Sequence, residues 1–154
     1  MNIFILDRNP KQAAQYQANI HVNKMLIESC QLLCTALHVF GYKAPYKPTH
    51  KNHPCSIWVR TSKSNYLWLL EHGKALSEEY SFRYKKSHAC NRVLNEAEHA
   101  VNQIPIPNIG LTKFAQCIPE EYKQEDVVQA YRNAYRGTKS AIAKWTVRDK
   151  PFWF

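Results

Sequence analysis

The sequence predicts an all-α protein, a single compact helical domain of about six helices over residues 1–154 with a short extended N-terminus. Three observations support this prediction. Apolar residues recur every three to four positions over long stretches, as they do on one face of a helix. Strand-like alternation is confined to residues 2–6, and the chain has only 4 Gly. Neither repeats nor a change in composition divide the 154 residues, which is the length of one ordinary domain.

The first part of the chain contains two predicted helices followed by a loop. Asn9 and Pro10 are typical of a helix start and open a helix over residues 11–18. Apolar residues with helical spacing then extend from Asn19 to Phe40, and Gly41 provides a natural end, so this helix is expected to be the central one. Residues 42–54 include three prolines, which predicts a surface loop.

The remaining chain contains four predicted helices. Ser62 or Ser64 can cap a long helix that reaches residue 84, and a further helix spans about residues 89–103 before two prolines. After an irregular stretch, acidic residues at 120–126 favour the start of a helix that ends near Gly137. A last helix is expected over residues 138–145. The aromatic tail at 152–154 is expected to pack back onto the helices, since an exposed apolar patch invites association.

Composition excludes several classes of protein. The chain has 45% apolar residues, which argues against disorder. No stretch approaches the roughly 18 unbroken apolar residues of a membrane span, and the N-terminal apolar run is too short for a signal peptide. The five cysteines are odd in number and lack CxxC spacing, which indicates reduced thiols. We therefore expect a cytoplasmic protein that does not contact membranes.

The net charge of +9 is concentrated in the first half of the chain. Residues 1–70 contain eight Lys or Arg and only two acids, Asp7 and Glu28, and the loop at 42–54 contains no acid. Such a field attracts polyanions, and Tyr42 and Tyr46 in the loop would suit stacking on exposed bases. We predict nucleic-acid binding, with a solvated basic surface as the alternative. The predicted binding residues are Lys43, Lys47, His50, Lys51, His53, Arg60, Lys63, Asn65, Arg83, Lys85, Lys86, Arg132, Arg136 and Lys139.

Few residues are placed to carry chemistry. The chain has no Walker loop, dinucleotide-binding glycine motif, HExxH or GxSxG motif. His21, Lys24 and Glu28 can share one face of the central helix, where a carboxylate in a basic cleft could move a proton or stabilise a developing sugar cation. The alternative is a surface Lys24–Glu28 pair that contributes only tenths of a kcal/mol.

Metal binding is considered at two places and not expected at either. His50, His53 and Cys55 are possible ligands within six residues, but no second half-site is visible. Cys30 and Cys34 are one helical turn apart and fit core packing better than a metal site. We therefore expect no metal and no cofactor.

Several short motifs together resemble a known family. They read HVNKM at 21–25 followed by Glu28, THKNHPC at 49–55 followed by Trp58 and Arg60, IPEEY at 118–122 and YRNAYRG at 131–137. In this order they resemble small phage proteins of the pyrimidine-dimer DNA glycosylase (endonuclease V-like) family. The resemblance covers nearly the whole chain, although each motif is short.

The resemblance implies a helical domain that binds duplex DNA in a bacterial or phage-infected cell and extrudes a damaged or modified base. In that family an amine attacks the sugar C1′ and a glutamate assists glycosidic cleavage and later strand scission, which makes Glu28 the candidate glutamate. Two departures stand out. Asn2 follows Met1, whereas the family exposes its amine by removing Met before a small residue. Asn19-Ile20 replaces an Asp-Lys pair, and Lys24 is the candidate substitute amine.

Three alternatives to a glycosylase with abasic-site lyase activity stay open from the sequence. The first is a catalytically silent DNA-binding relative, which the change at Asn19-Ile20 favours. The second is an enzyme that transfers a group to a modified DNA base in the same kind of pocket. The third is a phage–host conflict protein whose basic surface binds an acidic protein partner.

Overall fold

A computed structural model describes residues 1–154 and contains six α-helices and no β-strand. The all-α prediction is therefore confirmed. The helices are α1 (Pro10–Gln15), α2 (Asn19–Val39), α3 (Pro54–Thr61), α4 (Lys63–Tyr84), α5 (Asn91–Ala100) and α6 (Val127–Lys139), with short 3₁₀ turns at Val101–Gln103 and Glu120–Tyr122. None of these helices combines the length and the apolar character that crossing a bilayer needs.

The core forms where α4 packs against α1, α2, α3 and α5. Leu26, Leu33 and Leu37 of α2 are fully buried, as are Leu69 and Leu76 of α4. These positions follow the 3.6-residue period, which explains why both long helices could be predicted from sequence. Cys30 and Cys34 of α2 are also fully buried, so they occupy core positions as expected.

A glycine lets α4 and α5 approach closely. A Cβ atom at Gly73 of α4 would lie only 2.9 Å from Leu94 Cδ2 of α5, closer than carbon atoms pack. Alanine there would force the Leu94 side chain to move.

The two ends of the chain are packed into the fold. The N-terminal segment forms no strand, but Ile3, Ile5 and Leu6 are buried. In the C-terminal tail Trp153 is buried and makes an edge contact with Tyr16, their ring centroids 5.7 Å apart. The tail therefore packs back as predicted, apart from Phe152, which is 84% exposed.

The structure differs from the sequence predictions at two elements. α3 was not among the predicted helices; it begins at Pro54 and is capped by His53, whose Nδ1 accepts a hydrogen bond from Cys55 N at 3.1 Å. Proline is well suited to the first helical position because it has no N–H to satisfy there. The expected helix over 138–145 is wrong, since α6 continues through Gly137 to Lys139 and the chain then turns. A glycine inside a helix costs only about 1 kcal/mol, and here Tyr122 occupies the space that a side chain would need.

A buried ion-pair cluster secures the turn that precedes α2. Glu79 of α4 accepts hydrogen bonds from Arg83 Nε at 3.0 Å and from Arg148 Nη2 at 2.6 Å. Arg83 also donates to the backbone oxygens of Gln15 at 2.9 Å and Gln17 at 2.7 Å. The side chains of Glu79 and Arg83 are only 5% and 1% exposed. The cluster therefore ties the α1–α2 turn to α4 and to the C-terminal segment.

Candidate active site

A cavity of about 280 Å³ lies between the N-terminal segment, α2, α6 and residues 117–119. The apolar and aromatic part of the cavity wall is formed by Phe4, Met25, Tyr131 and Tyr135. The groups that could take part in chemistry are the N-terminal amine of Met1, Lys24, Glu28 and Lys139. Two of the three predicted catalytic residues, Lys24 and Glu28, thus line one cavity.

Glu28 is paired with the N-terminus. Its Oε2 accepts a hydrogen bond from the backbone N–H of Asn2 at 2.9 Å and lies 3.9 Å from the α-ammonium nitrogen of Met1. The Glu28 side chain is 14% exposed and lines the cavity. Lys24 makes no ion pair with it, which means that the predicted alternative of a surface Lys24–Glu28 pair does not form.

The side chain of Asn2 fixes the N-terminus in place. Its Nδ2 donates to the Cys117 carbonyl at 2.8 Å, and its Oδ1 accepts from the Tyr131 hydroxyl at 3.0 Å. The same hydroxyl accepts a hydrogen bond from Cys117 N at 3.1 Å. These bonds join the first residues of the chain to α6 and to the irregular segment beside it, and so hold the amine next to Glu28.

His21, the third predicted catalytic residue, lies behind the cavity wall. It is 4% exposed, and its Nδ1 lies 2.5 Å from the Tyr135 hydroxyl, with Phe4 packed edge-on at 5.2 Å between ring centroids. Burial, with smaller contributions from Lys139 and Lys24, lowers the pKa of His21 to about 4. The ring is therefore neutral at pH 7 and orients Tyr135 rather than contacting a molecule in the cavity.

Cationic groups surround the carboxylate. Lys24 and Lys139 line the cavity, and both act electrostatically on His21. Burial lowers the pKa of His53, with the Met1 ammonium and His50 acting in the same direction and Glu28 opposing them. His53 is therefore within electrostatic range of the amine and of Glu28. Glu28 is the one carboxylate that lines this cavity.

The chemistry available here is that of a primary amine beside a carboxylate. Ordinary α-amino groups are less basic than lysine amines by about 2.5 pH units, so as a class they are the better nucleophiles near neutral pH. The carboxylate can accept a proton from the amine or stabilise positive charge that develops nearby. This pair suits attack on an electrophilic carbon such as that of an aldehyde or an acetal.

Comparison with known proteins leaves the family open. No protein-family model, curated protein or solved structure matches the chain. The interpretation of the cavity therefore depends on its geometry.

The basic loop lies along α2 and runs back toward the cavity. The Tyr46 carbonyl contacts His38 Nε2 at 2.9 Å, and Thr49 N donates to Thr35 Oγ1 at 3.0 Å. His53, at the end of the loop, is within electrostatic range of Glu28. These contacts of the loop follow α2 from its C-terminal end toward its middle. The basic residues of the loop that are exposed to solvent are Lys43, Lys47, His50 and Lys51.

The two loop tyrosines are turned inward. The Tyr42 hydroxyl donates to Glu96, and the Tyr46 hydroxyl lies 3.4 Å from Cys90 Sγ. Both rings pack against the core. Their placement does not favour the stacking role expected from the sequence.

The other predicted nucleic-acid contacts fall into three groups, which are exposed, half-buried and buried. Lys85 and Lys86 are exposed after α4, and Arg136 is exposed on α6. Arg60 and Lys63 are half-buried: Arg60 donates to the Lys51 carbonyl at 2.6 Å and Lys63 to Asn102 Oδ1 at 2.9 Å.

Three predicted contacts are buried and engaged inside the protein. Asn65 is fully buried, and its Nδ2 donates to the Trp58 carbonyl at 2.8 Å. Arg83 belongs to the Glu79 cluster, and Arg132 donates from Nε to the Leu6 carbonyl at 2.8 Å. We therefore leave these three out of the proposed nucleic-acid surface.

Three residues that build the cavity were not predicted as site residues. Tyr131 and Tyr135 lie one helical turn apart in α6 and belong to the YRNAYRG motif, but their spacing indicated only an apolar stripe. No local sequence pattern indicated Cys117, because its contact with Cys55 joins positions 62 residues apart.

Proposed function

We propose that the chain is a DNA base-excision enzyme, a glycosylase with abasic-site lyase activity that acts on a damaged or modified base extruded from duplex DNA. The observation that supports it most is the pairing of the Met1 amine and Glu28 in a cavity with cationic surroundings. The resemblance described above implies the same pair of roles, an amine and a glutamate.

In the proposed reaction the neutral amine of Met1 attacks the sugar C1′. The bond from C1′ to the base breaks, and the base leaves with the bonding electrons and takes up a proton. The amine nitrogen then loses a proton to Glu28, and its lone pair opens the sugar ring to form a protonated imine. Glu28 returns the proton to the departing ring oxygen, which becomes a hydroxyl. Loss of a proton from C2′ expels the 3′ phosphate and breaks the strand.

The charges around the cavity favour DNA as the substrate. Lys24 and Lys139 can neutralise phosphates beside the extruded nucleotide, and the exposed lysines of the loop extend the basic surface along α2. A volume of about 280 Å³ is near the lower end of ligand pockets, which suits one nucleotide fragment rather than a large ligand.

Borohydride trapping on a duplex with one abasic site tests this function. Borohydride reduces an imine to a stable amine, so the proposed enzyme becomes covalently attached to the DNA. Glu28→Gln should lower the trapping rate by about 100-fold or more, as loss of a positioned acid–base group does. Glu71→Gln, which removes an exposed carboxylate from α4, is the matched control and should trap normally.

Two further variants of the protein identify which amine forms the adduct. An additional residue placed before Met1 should abolish trapping, whereas Lys24→Ala should retain it. Loss of trapping only in Lys24→Ala would transfer the nucleophile to Lys24. Tight, salt-sensitive DNA binding without adduct or base release on damaged and modified duplexes would rule out the enzyme and favour the silent relative. Failure to bind DNA at low salt would favour an acidic protein partner.

A further inference from the structure

Three metal-ligand side chains converge beside the cavity. His53, Cys55 and Cys117 each offer one donor atom, and these atoms all lie within 4.8 Å of one another. His53 and Cys55 come from the start of α3, and Cys117 comes from the irregular segment after α5. The further ligand that the sequence did not reveal is therefore Cys117, which lies 62 positions after Cys55 in the chain.

The spacing of the two sulfur atoms favours a shared metal over a disulfide. Cys55 Sγ and Cys117 Sγ are 3.3 Å apart. Two sulfurs at about 2.3 Å from a tetrahedral zinc ion are roughly 3.8 Å apart, whereas a disulfide requires about 2.05 Å. The observed separation needs a smaller change to bind zinc than to form the disulfide.

We propose that His53, Cys55 and Cys117 bind a zinc ion. Two cysteines and one histidine form a known zinc ligand set, with the fourth position open to water. Two thiolates balance the charge of Zn²⁺, so the bound ion adds no net charge to the cationic surroundings. The thiol protons leave to solvent when the ion binds.

The ion would replace weak contacts that the cluster makes without it. Cys55 Sγ lies 3.8 Å from Asn2 Oδ1, and one ring nitrogen of His53 accepts from Cys55 N at 3.1 Å. On metal binding the thiol no longer donates, and the ring turns its lone pair to the ion. Since the Cys117 carbonyl also binds Asn2 Nδ2, zinc would join α3 and residue 117 next to the N-terminus. The metal would thus stabilise one wall of the cavity whether or not the chain acts on DNA.

Metal analysis of the reduced protein tests the site. The full chain is purified with a phosphine reductant and without chelator, given one equivalent of Zn²⁺ and desalted. We expect one zinc per chain, and Co²⁺ in its place should give thiolate-to-cobalt absorption and tetrahedral bands. Cys117→Ser and His53→Ala should each weaken zinc binding at least about tenfold. Cys34→Ala removes a buried cysteine that is not part of the cluster, and this variant should bind zinc as the wild type does.

The possible results distinguish a zinc site from another use of the two cysteines. The cobalt spectrum of the wild type needs no variant to fold, and the absence of thiolate-to-cobalt absorption from folded protein would overturn the site. Zinc that stays bound equally well in Cys117→Ser would overturn it too. A Cys55–Cys117 disulfide that, once reduced, binds no zinc would show that the pair serves another purpose.

Discussion

Glu79→Gln tests whether the buried ion cluster holds the fold together. The carboxylate lies between Arg83 and Arg148, and the Arg83 side chain is 1% exposed. Removing one partner of a buried pair leaves an uncompensated charge and costs about 3–5 kcal/mol. Arg83 keeps its bonds to the Gln15 and Gln17 carbonyls, so we expect the lower part of that range, about 3 kcal/mol. For a chain of this length that corresponds to roughly 6–12 °C in Tm.

The neighbouring residue provides a matched control. Glu78 is 68% exposed and lies 3.9 Å from Lys11, so Glu78→Gln should change stability by less than about 0.5 kcal/mol. Urea unfolding at pH 7, followed by circular dichroism, gives both free energies on the same chain. If Glu79→Gln were within 1 kcal/mol of Glu78→Gln, as a rough limit, the buried cluster would not stabilise the fold as described.

Three further predictions concern pH, the N-terminus and DNA. Burial lowers the pKa of both His21 and His72 to about 4, so the unfolded chain binds protons first as pH falls from about 6.5. The free energy of unfolding should therefore decrease between pH 6.5 and 4, by up to about 3 kcal/mol per histidine, and urea titrations of His21→Gln should show a smaller decrease. Tyr131→Phe leaves Cys117 N–H without its partner and should cost about 1–3 kcal/mol in the same assay, while an unchanged stability would contradict that role. If the loop binds phosphates, replacing Lys47 and Lys51 by Ala should reduce the slope of log affinity against log salt by about 2 in fluorescence anisotropy, whereas Lys11→Ala should not.

Much of the fold could be predicted because it depends on local pattern. α2 and α4 have long apolar stripes, and Ser62 caps α4 by accepting from Ser64 N at 3.3 Å. α3 was missed because its cap is a histidine side chain, which is not a common N-cap residue. The helix expected at 138–145 was wrong because Gly137 was assigned as a stop, although nothing in a short sequence window shows that Tyr122 fills the space beside it.

The site could be predicted only where its residues share a helix. Lys24 and Glu28 are four positions apart, so their common face follows from helical geometry. The pairing of Glu28 with the N-terminus, and of Cys55 with Cys117, depends on long-range packing that local spacing does not contain. Charge alone also did not separate surface arginines from buried ones, although the i,i+4 spacing of Glu79 and Arg83 was an available sign of an internal pair.

Mapping the covalent adduct tests the central proposal most directly. After borohydride trapping on abasic duplex DNA, the protein is digested and the modified peptide is identified by mass spectrometry. The proposal predicts that the sugar is attached to the α-amino nitrogen of Met1, beside Glu28. A wild-type protein that binds the duplex but forms no adduct would contradict base excision through an amine at this cavity.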